Sequence, residues 1–382
     1  MRPGGANSAV GVLFCSVEGP KFEPVSLVEN DLIAQNLLVF AYEKPMSISE
    51  LSRAIGIPAA YLGPIVKKLT DGELMVRTDG GKPYADFIIT RPQDALKSFQ
   101  PQLDFAHRHF DVAWSVLTKM SDENAKLDCV CGMSENAKIM LDRYAVLKAL
   151  QDFIFFATDK VKKPNFPMRR DGGRWCAQGV AIDAGYDLTE YEKSQNYAIQ
   201  GGHRVTEAVS VGRTKRIRLH EFGTTLRDAP QRYGGAMELY FKYIIPLLWD
   251  VYDGISLAGS EIPNEFISYM KTLEQVGMIG YSEDKPFVKI PVITQNDYER
   301  ISEKISAAAE QLKAEIGAEA ERFIDSMKTP IPKHLTSVPE LFRYHNATEY
   351  FVMAIVREAY ERGLHLKGVD ACCPPAVLVY EP

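Results

Sequence analysis

Apolar residues recur at the spacing of helical turns between residues 46 and 70, and this is the clearest periodicity in the chain. Ser47 and Glu50 have the spacing of a capping box, which predicts that a helix begins there. Gly56 tolerates the left-handed conformation in which many helices end, so it predicts the end of that helix. The apolar faces of two consecutive helices follow the same rhythm: Ile48, Leu51 and Ile55, then Ile57, Leu62, Val66 and Leu69. Two short helices joined by a glycine-containing turn predict a helix-turn-helix.

A predicted β-hairpin follows directly. Residues 74–78 and 84–90 are strand-like, and Asp79-Gly80-Gly81 between them is a strong hairpin turn signal. A further apolar helix is predicted over residues 32–42. The order of three helices and a hairpin over residues 27–90 resembles the winged-helix domain of bacterial transcription regulators. This resemblance implies a role in transcription, either by binding DNA or by docking on a protein.

Five side chains of this region are the candidates for contact with DNA. They lie on the second helix of the helix-turn-helix and beside the hairpin turn: Tyr61, Lys67, Lys68, Arg77 and Lys82. Cations that neutralise phosphates supply most non-specific affinity for duplex DNA, yet residues 1–95 hold nine Lys and Arg against eleven Asp and Glu. Pro64 lacks the N–H that a continuous helix from Pro58 would use, so we expect a kink or a restart there. DNA is the favoured partner, and a protein partner is the alternative.

The middle of the chain is basic. Residues 155–220 hold twelve Lys and Arg against seven Asp and Glu, within a protein of net charge −6. Alternation over residues 216–222 predicts a strand with an exposed charged side. The candidate ligand-binding residues lie at glycine turns and on this strand: Arg174, Trp175, His203, Arg204, Arg216 and Arg218. They predict a pocket for a small anionic effector or a second nucleic-acid surface. Solvated turns and core aromatic residues are the alternative interpretation.

Composition and motifs exclude several functional classes. Hydrophobic residues make up 46% and charged residues 25% of the chain, which is typical of a soluble globular protein. No apolar run is long enough to cross a membrane and no secretory signal is present, so we expect a cytoplasmic location without membrane contact. Cys129-Val-Cys131 and Cys372-Cys373 lack the spacing of a zinc site. No catalytic motif is found, so we expect no catalytic residues, no metal, no cofactor and no enzymatic activity.

Patterning along the whole chain predicts an α+β protein with five consecutive regions. These are a winged-helix domain (1–95), a helical linker or dimerisation region (96–160), a basic β-containing region (161–234), a degenerate second winged helix (235–295) and a C-terminal helical region (296–382). In the second region, the helical rhythm runs to Met120, and we expect the polar residues 121–126 to interrupt it. The amphipathic helix predicted over 297–326 is long enough to pack along another helix or along a symmetry mate, and the second alternative predicts a homodimer.

The second winged helix is inferred from an internal similarity. Leu69-Thr-Asp-Gly-Glu-Leu-Met75 is matched by Leu273-Glu-Gln-Val-Gly-Met-Ile279, and Thr90 is matched by Thr294 at the same offset of 204 residues. The predicted contact helix of this second copy, residues 264–274, carries Glu265 and Glu274. An acidic contact helix repels phosphates, so we expect the second copy to be a scaffold or a protein-binding surface.

At the scale of the whole chain, six short segments resemble a largely uncharacterised family of winged-helix proteins from Firmicutes: Glu43-Lys-Pro, Ile55-Gly-Ile-Pro-Ala, Asp171-Gly-Gly-Arg-Trp, Ile262-Pro-Asn-Glu, Ile331-Pro-Lys-His-Leu and Cys372-Cys-Pro-Pro. Members of that family tend to occur beside sigma-factor genes, so the resemblance implies transcription control. The sequence therefore predicts a bacterial transcription regulator that binds DNA through its N-terminal winged helix. A module that docks on RNA polymerase or a sigma factor without reading DNA is the alternative.

Overall fold

The chain mixes helices and strands, which confirms the predicted α+β class. The computed structural model describes residues 9–18, 24–28, 31–157, 167–170, 172–182, 189, 203–208, 216–222, 243–255, 269–336, 338–365 and 375–381. Two compact units are present. Unit 1 combines residues 1–102, 158–191 and 322–347, and unit 2 combines residues 103–157, 192–321 and 348–382. Each unit thus joins segments that are separated in the sequence, and the finer division into five regions stays a prediction.

The described part of unit 1 includes three short helices, a hairpin and a small sheet. The helices are α1 (Leu32–Phe40), α2 (Ile48–Ile55) and α3 (Ala59–Asp71), and the strands are β1 (Ala9–Glu18), β2 (Met75–Arg77), β3 (Pro83–Ala85), β4 (Ile88–Thr90) and β5 (Arg174–Ile182). Short 3-10 helices cover Pro24–Leu27 and Glu340–Tyr344. β2 pairs antiparallel with β3, whereas β5 lies between an antiparallel β1 and a parallel β4. The core of this unit includes Leu37, Leu51, Leu62, Leu69 and Trp175.

The predicted start and end of α2 are confirmed. The Glu50 backbone N–H donates to Ser47 Oγ at 3.2 Å, and the Ser47 backbone N–H donates to Glu50 Oε2 at 2.6 Å. Gly56 ends the helix with φ 78°. In contrast, α3 runs without interruption through Pro64, so the predicted restart does not occur. Pro64 and Ala60 are exposed, so water can satisfy the carbonyl that loses its N–H partner.

The segment predicted as one strand over residues 84–90 is two strands. β3 stays in the hairpin, with Ala85 opposite Met75, and the chain leaves the hairpin at residues 86–87. β4 then pairs parallel with β5, with Ile89 opposite Gly179. All three residues of β4 are buried, as expected for a strand that pairs in parallel inside the protein. Local alternation could not predict this change of partner, because β5 lies far along the chain.

Unit 2 combines long helices with a four-stranded sheet and a second hairpin. Its helices are most of α4 (Pro92–Ala125), α5 (Asp128–Cys131), α6 (Glu135–Ala157), α7 (Ile245–Tyr252), α8 (Tyr269–Gln275), and most of α9 (Gln295–Ser326) and α10 (His345–Glu361). Its strands are β6 (His203–Glu207), β7 (Ile217–Phe222), β8 (Ile279–Ser282), β9 (Lys285–Val288), β10 (Val292–Thr294) and β11 (Ala376–Tyr380). The sheet order is β10–β11–β7–β6, with β10 parallel to β11 and the other pairs antiparallel.

Two expectations about unit 2 are wrong. α4 does not stop at Met120 but continues to Ala125, so the polar stretch that begins at residue 121 is helical at first. β7 does not present an exposed charged side, because it lies between β11 and β6 and both His220 and Glu221 are buried. In α4, Asn124 is the one buried residue of the stretch 121–126, and the other residues stay exposed or half-buried in a continuing helix. In β7, by contrast, elements from distant parts of the chain cover the polar residues, as Tyr298 of α9 does for His220.

The internal similarity extends to the backbone of the two units. The order of helix, two hairpin strands, third strand and long helix occurs twice. It occurs first as α3, β2, β3, β4 and α4, and again as α8, β8, β9, β10 and α9. After the first helix of each series, one residue adopts a left-handed conformation, with φ 57° at Glu73 and 77° at Gly277, 204 positions apart. The N–H of the following residue then donates to a carbonyl in the last turn of that helix: Leu74 to Leu69 at 3.0 Å, and Met278 to Leu273 at 2.8 Å.

Strand pairing keeps the same register in both copies. Met75 lies opposite Ala85, and Ile279 lies opposite Val288, at positions related by offsets of 204 and 203. β4 and β10 then each add in parallel to a strand from a later part of the chain. The hairpin that the internal similarity implies for the second copy is therefore present, with its turn near residues 282–285. Of the predicted contact helix, residues 269–274 lie in α8 and residues 264–268 lie outside the described residues. The assignment of residues 235–295 to a second winged helix stays a prediction.

Candidate functional site

The exposed side of α3 is uncharged over the first half of the helix. Tyr61 is 71% exposed, Pro58 and Pro64 are exposed three residues before and after it, and Ala60 is exposed four residues before Pro64. We call these four residues the Tyr61 patch. Residues at these spacings share one side of a helix, so the patch presents an aromatic ring surrounded by small apolar side chains. Within the patch, the tyrosine hydroxyl is the side-chain group that can form hydrogen bonds.

The two lysines of α3 are both engaged with neighbouring groups. Lys67 Nζ lies 2.5 Å from Asp71 Oδ2, in a pair whose side chains are 74% and 58% exposed. Lys68 Nζ donates to the Leu27 carbonyl at 2.7 Å and lies 3.8 Å from Asp31 Oδ2. Lys68 therefore links α3 to the segment before α1, whereas Lys67 remains a surface cation with a weak partner.

The cations of the first hairpin also contact the protein itself. Arg77 Nη1 donates to the Gly81 carbonyl at 2.8 Å, across the hairpin turn. Lys82 Nζ lies 3.2 Å from Glu50 Oε2 and so ties the hairpin to the start of α2. The hydrogen bonds from Ser47, and then the one from Lys82, lower the pKa of Glu50 to about 2. Glu50 thus remains a carboxylate through the neutral and mildly acidic range.

Of the six predicted ligand-binding residues, the two in unit 1 form no open pocket. Trp175 is buried in the core, with the Arg169 guanidinium carbon 4.1 Å from the centroid of its ring. Arg169 Nε also donates to the Trp175 carbonyl at 3.0 Å. The predicted glycine turn is present, because the Gly172 N–H donates to the Arg169 carbonyl at 2.9 Å. The turn leads Trp175 into the core, so the prediction that it presents this ring to a ligand is wrong. Arg174 is half-buried on β5.

A polar cluster lies inside unit 2 around Tyr144. The Tyr144 hydroxyl is 2.8 Å from His203 Nε2 and 2.8 Å from the Tyr298 hydroxyl. The rings of His220 and Tyr298 are in contact, with centroids 4.1 Å apart. Burial lowers the pKa of His203 to about 3 and that of His220 to about 4, so both imidazoles are neutral at pH 7. A neutral cluster of this kind offers no cation to an anionic effector.

Arg216 and Arg218 lie close together at one end of the β6–β7 pair, and His203 lies at the other end. Arg218 Nε lies 3.1 Å from Glu207 Oε2, and its Nη2 lies 2.9 Å from Glu381 Oε1. Arg216 Nε lies 2.5 Å from the other oxygen of Glu207. Two arginines and two glutamates therefore neutralise one another. The side chain of Arg204 lies outside the described part, and within unit 2 the described candidates lie at opposite ends of the β6–β7 pair and form no anion pocket.

Neither a protein-family model, nor a curated protein, nor a solved structure matches the chain. Within the described ranges, no group of three His, Cys, Asp or Glu side chains is placed to hold a metal ion. No described helix has the length and the apolar character needed to cross a bilayer.

One cavity of unit 2 was missed by the sequence-based predictions. It has a volume of about 400 Å³, and its polar groups come from Ser121, Asp122, Asn124, Lys138, Asp142 and His365. These residues come from α4, α6 and the segment after α10, so no local motif joins them. The one signal in the sequence was the polar run that begins at Ser121 within an otherwise apolar helical rhythm, and it was interpreted as an interruption of the helix.

Proposed function

We propose that residues 27–90 form a winged helix that acts in transcription control by docking on a protein of the transcription machinery. The observation that carries the proposal is the Tyr61 patch, an exposed aromatic ring among apolar residues on the helix that would face a target. Tyrosine is enriched among the residues that dominate protein–protein binding energy, because it buries a large apolar ring and keeps one hydroxyl for a hydrogen bond. The resemblance to proteins encoded beside sigma-factor genes favours RNA polymerase or a sigma factor as the partner.

The electrostatics of α3 support a protein partner over duplex DNA. Alanine, proline and glycine side chains cannot donate to base edges, and they occupy most of the exposed first half of the helix. Lys68 is bonded to the Leu27 carbonyl, so a phosphate would have to displace an existing hydrogen bond. Few cations on this surface are therefore available to release counterions from DNA, which is the source of most non-specific affinity.

A second candidate function, DNA binding through the hairpin, has one observation in its favour. Arg77 and Lys82 both lie at the first hairpin, where a wing would meet the phosphate backbone. The bond from Arg77 to the Gly81 carbonyl uses one donor of a guanidinium that has five. The contact between Lys82 and Glu50 involves exposed side chains and can exchange for a phosphate at little cost.

The proposal is tested by pull-down of bacterial RNA polymerase core enzyme and purified sigma factors on the immobilised full-length chain. We expect Tyr61→Ala to weaken capture at least tenfold, as the loss of a dominant contact residue does, with an unchanged melting temperature. Tyr281→Ala is the matched control, because Tyr281 is a tyrosine that is 45% exposed on the hairpin of unit 2.

A parallel salt-titrated anisotropy assay uses DNA from upstream of the gene and the double variant Arg77→Glu with Lys82→Glu. If the double variant abolishes DNA binding while Tyr61→Ala leaves polymerase and sigma capture unchanged, DNA reading is the function and the docking proposal is wrong. If neither polymerase nor any sigma factor is captured by the unmodified chain, the docking proposal is likewise overturned.

A further inference from the structure

We propose that the cavity between α4, α6 and the segment after α10 in unit 2 is a binding site for a small uncharged heterocycle whose edge carries adjacent hydrogen-bond donor and acceptor atoms, as a nucleobase does. The cavity is separate from the Tyr61 patch, because every described residue that lines it belongs to unit 2. A volume of about 400 Å³ lies within the range of small-molecule sites, and its mostly apolar wall with a few polar groups is typical of such sites.

Asn124 is the residue that most clearly points to a ligand. It is 5% exposed, and both its amide oxygen and its amide nitrogen lack a hydrogen-bond partner within the described residues. A buried polar group without partners costs about 1–3 kcal/mol of stability, so its presence on a cavity wall calls for a function. A carboxamide offers one acceptor and two donors in a plane, and asparagine uses this pair to bind the edge of adenine bidentately.

His365 adds a second unused polar atom to the same wall. It is 4% exposed, and its Nε2 has no hydrogen-bond partner within the described residues. Burial lowers the pKa of His365 to about 4, so the imidazole is neutral at pH 7 and can either donate or accept at Nε2, depending on its tautomer. Two buried, unpartnered and uncharged groups on one cavity wall favour a ligand that forms hydrogen bonds and carries no charge.

Asp142 accounts for the exclusion of anionic ligands. Its carboxylate accepts a short hydrogen bond from the Ser121 hydroxyl, and its Oδ2 lies 3.7 Å from His365 Nδ1. Burial raises its pKa above the ordinary value. The Asp142 side chain is nevertheless 39% exposed to solvent. Asp122 is a second acidic residue of the lining, whereas Lys138 Nζ is held by Glu135 at 2.8 Å. Phosphorylated ligands would meet two acidic groups and one neutralised cation, so we expect them to bind more weakly than the free base.

The test is calorimetric titration of the full-length protein with adenine, hypoxanthine, cytosine and uracil, and with the corresponding nucleoside 5′-monophosphates. We expect at least one free base to bind with a dissociation constant below about 1 mM and its monophosphate to bind more weakly. Asn124→Leu should weaken that binding at least tenfold while it holds or raises the melting temperature, because it removes an unpartnered buried amide. Thr118→Val is the control, since Thr118 is an exposed residue of α4 and the change preserves its shape.

If Asn124→Leu does not fold, Asn124→Asp serves instead, because it keeps the shape of the side chain and replaces the amide donor by a carboxylate. Absence of binding for all four bases overturns the proposal. Equal affinity in the wild type and the Asn124 variants, or tighter binding of the monophosphates than of the bases, overturns it as well.

Discussion

Residues 69–90 of unit 1 and residues 273–294 of unit 2 follow the same backbone course but present different surfaces. Both pass through a left-handed residue, a hairpin in matched register and a third strand that pairs in parallel with a later strand. The first hairpin carries Arg77 and Lys82, whereas the second exposes Tyr281 and Phe287. The difference shows that the apolar residues and turns that specify such a segment leave the chemistry of its surface free to change.

The left-handed position is occupied differently in the two copies. Unit 2 has Gly277 there, which adopts positive φ without strain, whereas unit 1 has Glu73. A non-glycine residue in this conformation costs about 1–2 kcal/mol. The Glu73 carboxylate accepts the backbone N–H of Arg170 at 2.9 Å, and this bond offsets part of the strain. Unit 1 therefore couples the turn to a segment that is distant in the sequence.

The largest expected difference between the units is in their stability at acidic pH. The folded-state pKa values of His203 and His220, about 3 and about 4, lie below the unfolded value because burial disfavours the charged ring. The two neutral imidazoles therefore contribute their full stabilisation above pH 6.5. As the pH falls toward the folded pKa values, the free energy of unfolding decreases by about 3 kcal/mol or more for each histidine. In unit 1, the contribution of Glu50 is retained down to about pH 4.5 and is lost only between pH 4.5 and about 2.

Hydrogen exchange at pH 7 and pH 5 measures this difference segment by segment. We expect β6, β7 and α6 to lose protection at pH 5 while α2 and the first hairpin retain it. His220→Phe should reduce the loss in unit 2, because both ring nitrogens of His220 lack partners in the described structure and no hydrogen bond is removed. Equal loss in both units, or no effect of His220→Phe, would contradict the prediction.

A smaller effect is expected at the left-handed position. Gly277→Ala should destabilise unit 2 by about 1–2 kcal/mol, because alanine is strained at φ 77°. Gly317→Ala is the control, since Gly317 lies inside α9, where alanine stabilises a helix by about 1 kcal/mol relative to glycine. Urea unfolding followed by tryptophan fluorescence would measure both changes. An unchanged midpoint for Gly277→Ala would mean that the two copies do not share this turn.

The smallest effect separates the two lysines of α3. Lys68→Ala should lower stability by about 0.5–1.5 kcal/mol, because it removes the hydrogen bond to the Leu27 carbonyl. Lys67→Ala should change stability by less than about 0.5 kcal/mol, because its contact with Asp71 is a surface pair between exposed side chains. Thermal unfolding of the two variants at equal salt checks the order. If Lys67→Ala destabilised the protein more than Lys68→Ala, the hydrogen bond from Lys68 to Leu27 would not stabilise the fold, and Lys68 would be available for contact with a partner.

Local signals in the sequence predicted the features that depend on neighbouring residues. The capping box of Ser47 and Glu50, the helix end at Gly56 and the first hairpin turn are set within a few residues, and the structure contains all of them. The internal similarity was also visible, because the apolar residues of matching segments occupy matching positions.

Features that depend on distant segments were not predictable in the same way. The burial of Trp175, the inner position of β7 and the departure of β4 from the hairpin all result from pairing with elements far along the chain. The cavity at Asn124 has the same origin, since its polar groups come from three separated segments. A single sequence shows which residues are apolar or polar, but it does not show which of the polar residues another segment will cover.

The position of β11 has a consequence for synthesis of the chain on the ribosome. β11 lies between β10 and β7, so the four-stranded sheet cannot close until residues 376–380 have been made. Until then β7 and β10 have unpaired edges, which readily pair with other chains. Contacts of such high sequence separation also form slowly. A nascent chain arrested before residue 376 would therefore leave these edges open to other chains, whereas α1, α2, α3 and the first hairpin can form early, because they are contiguous.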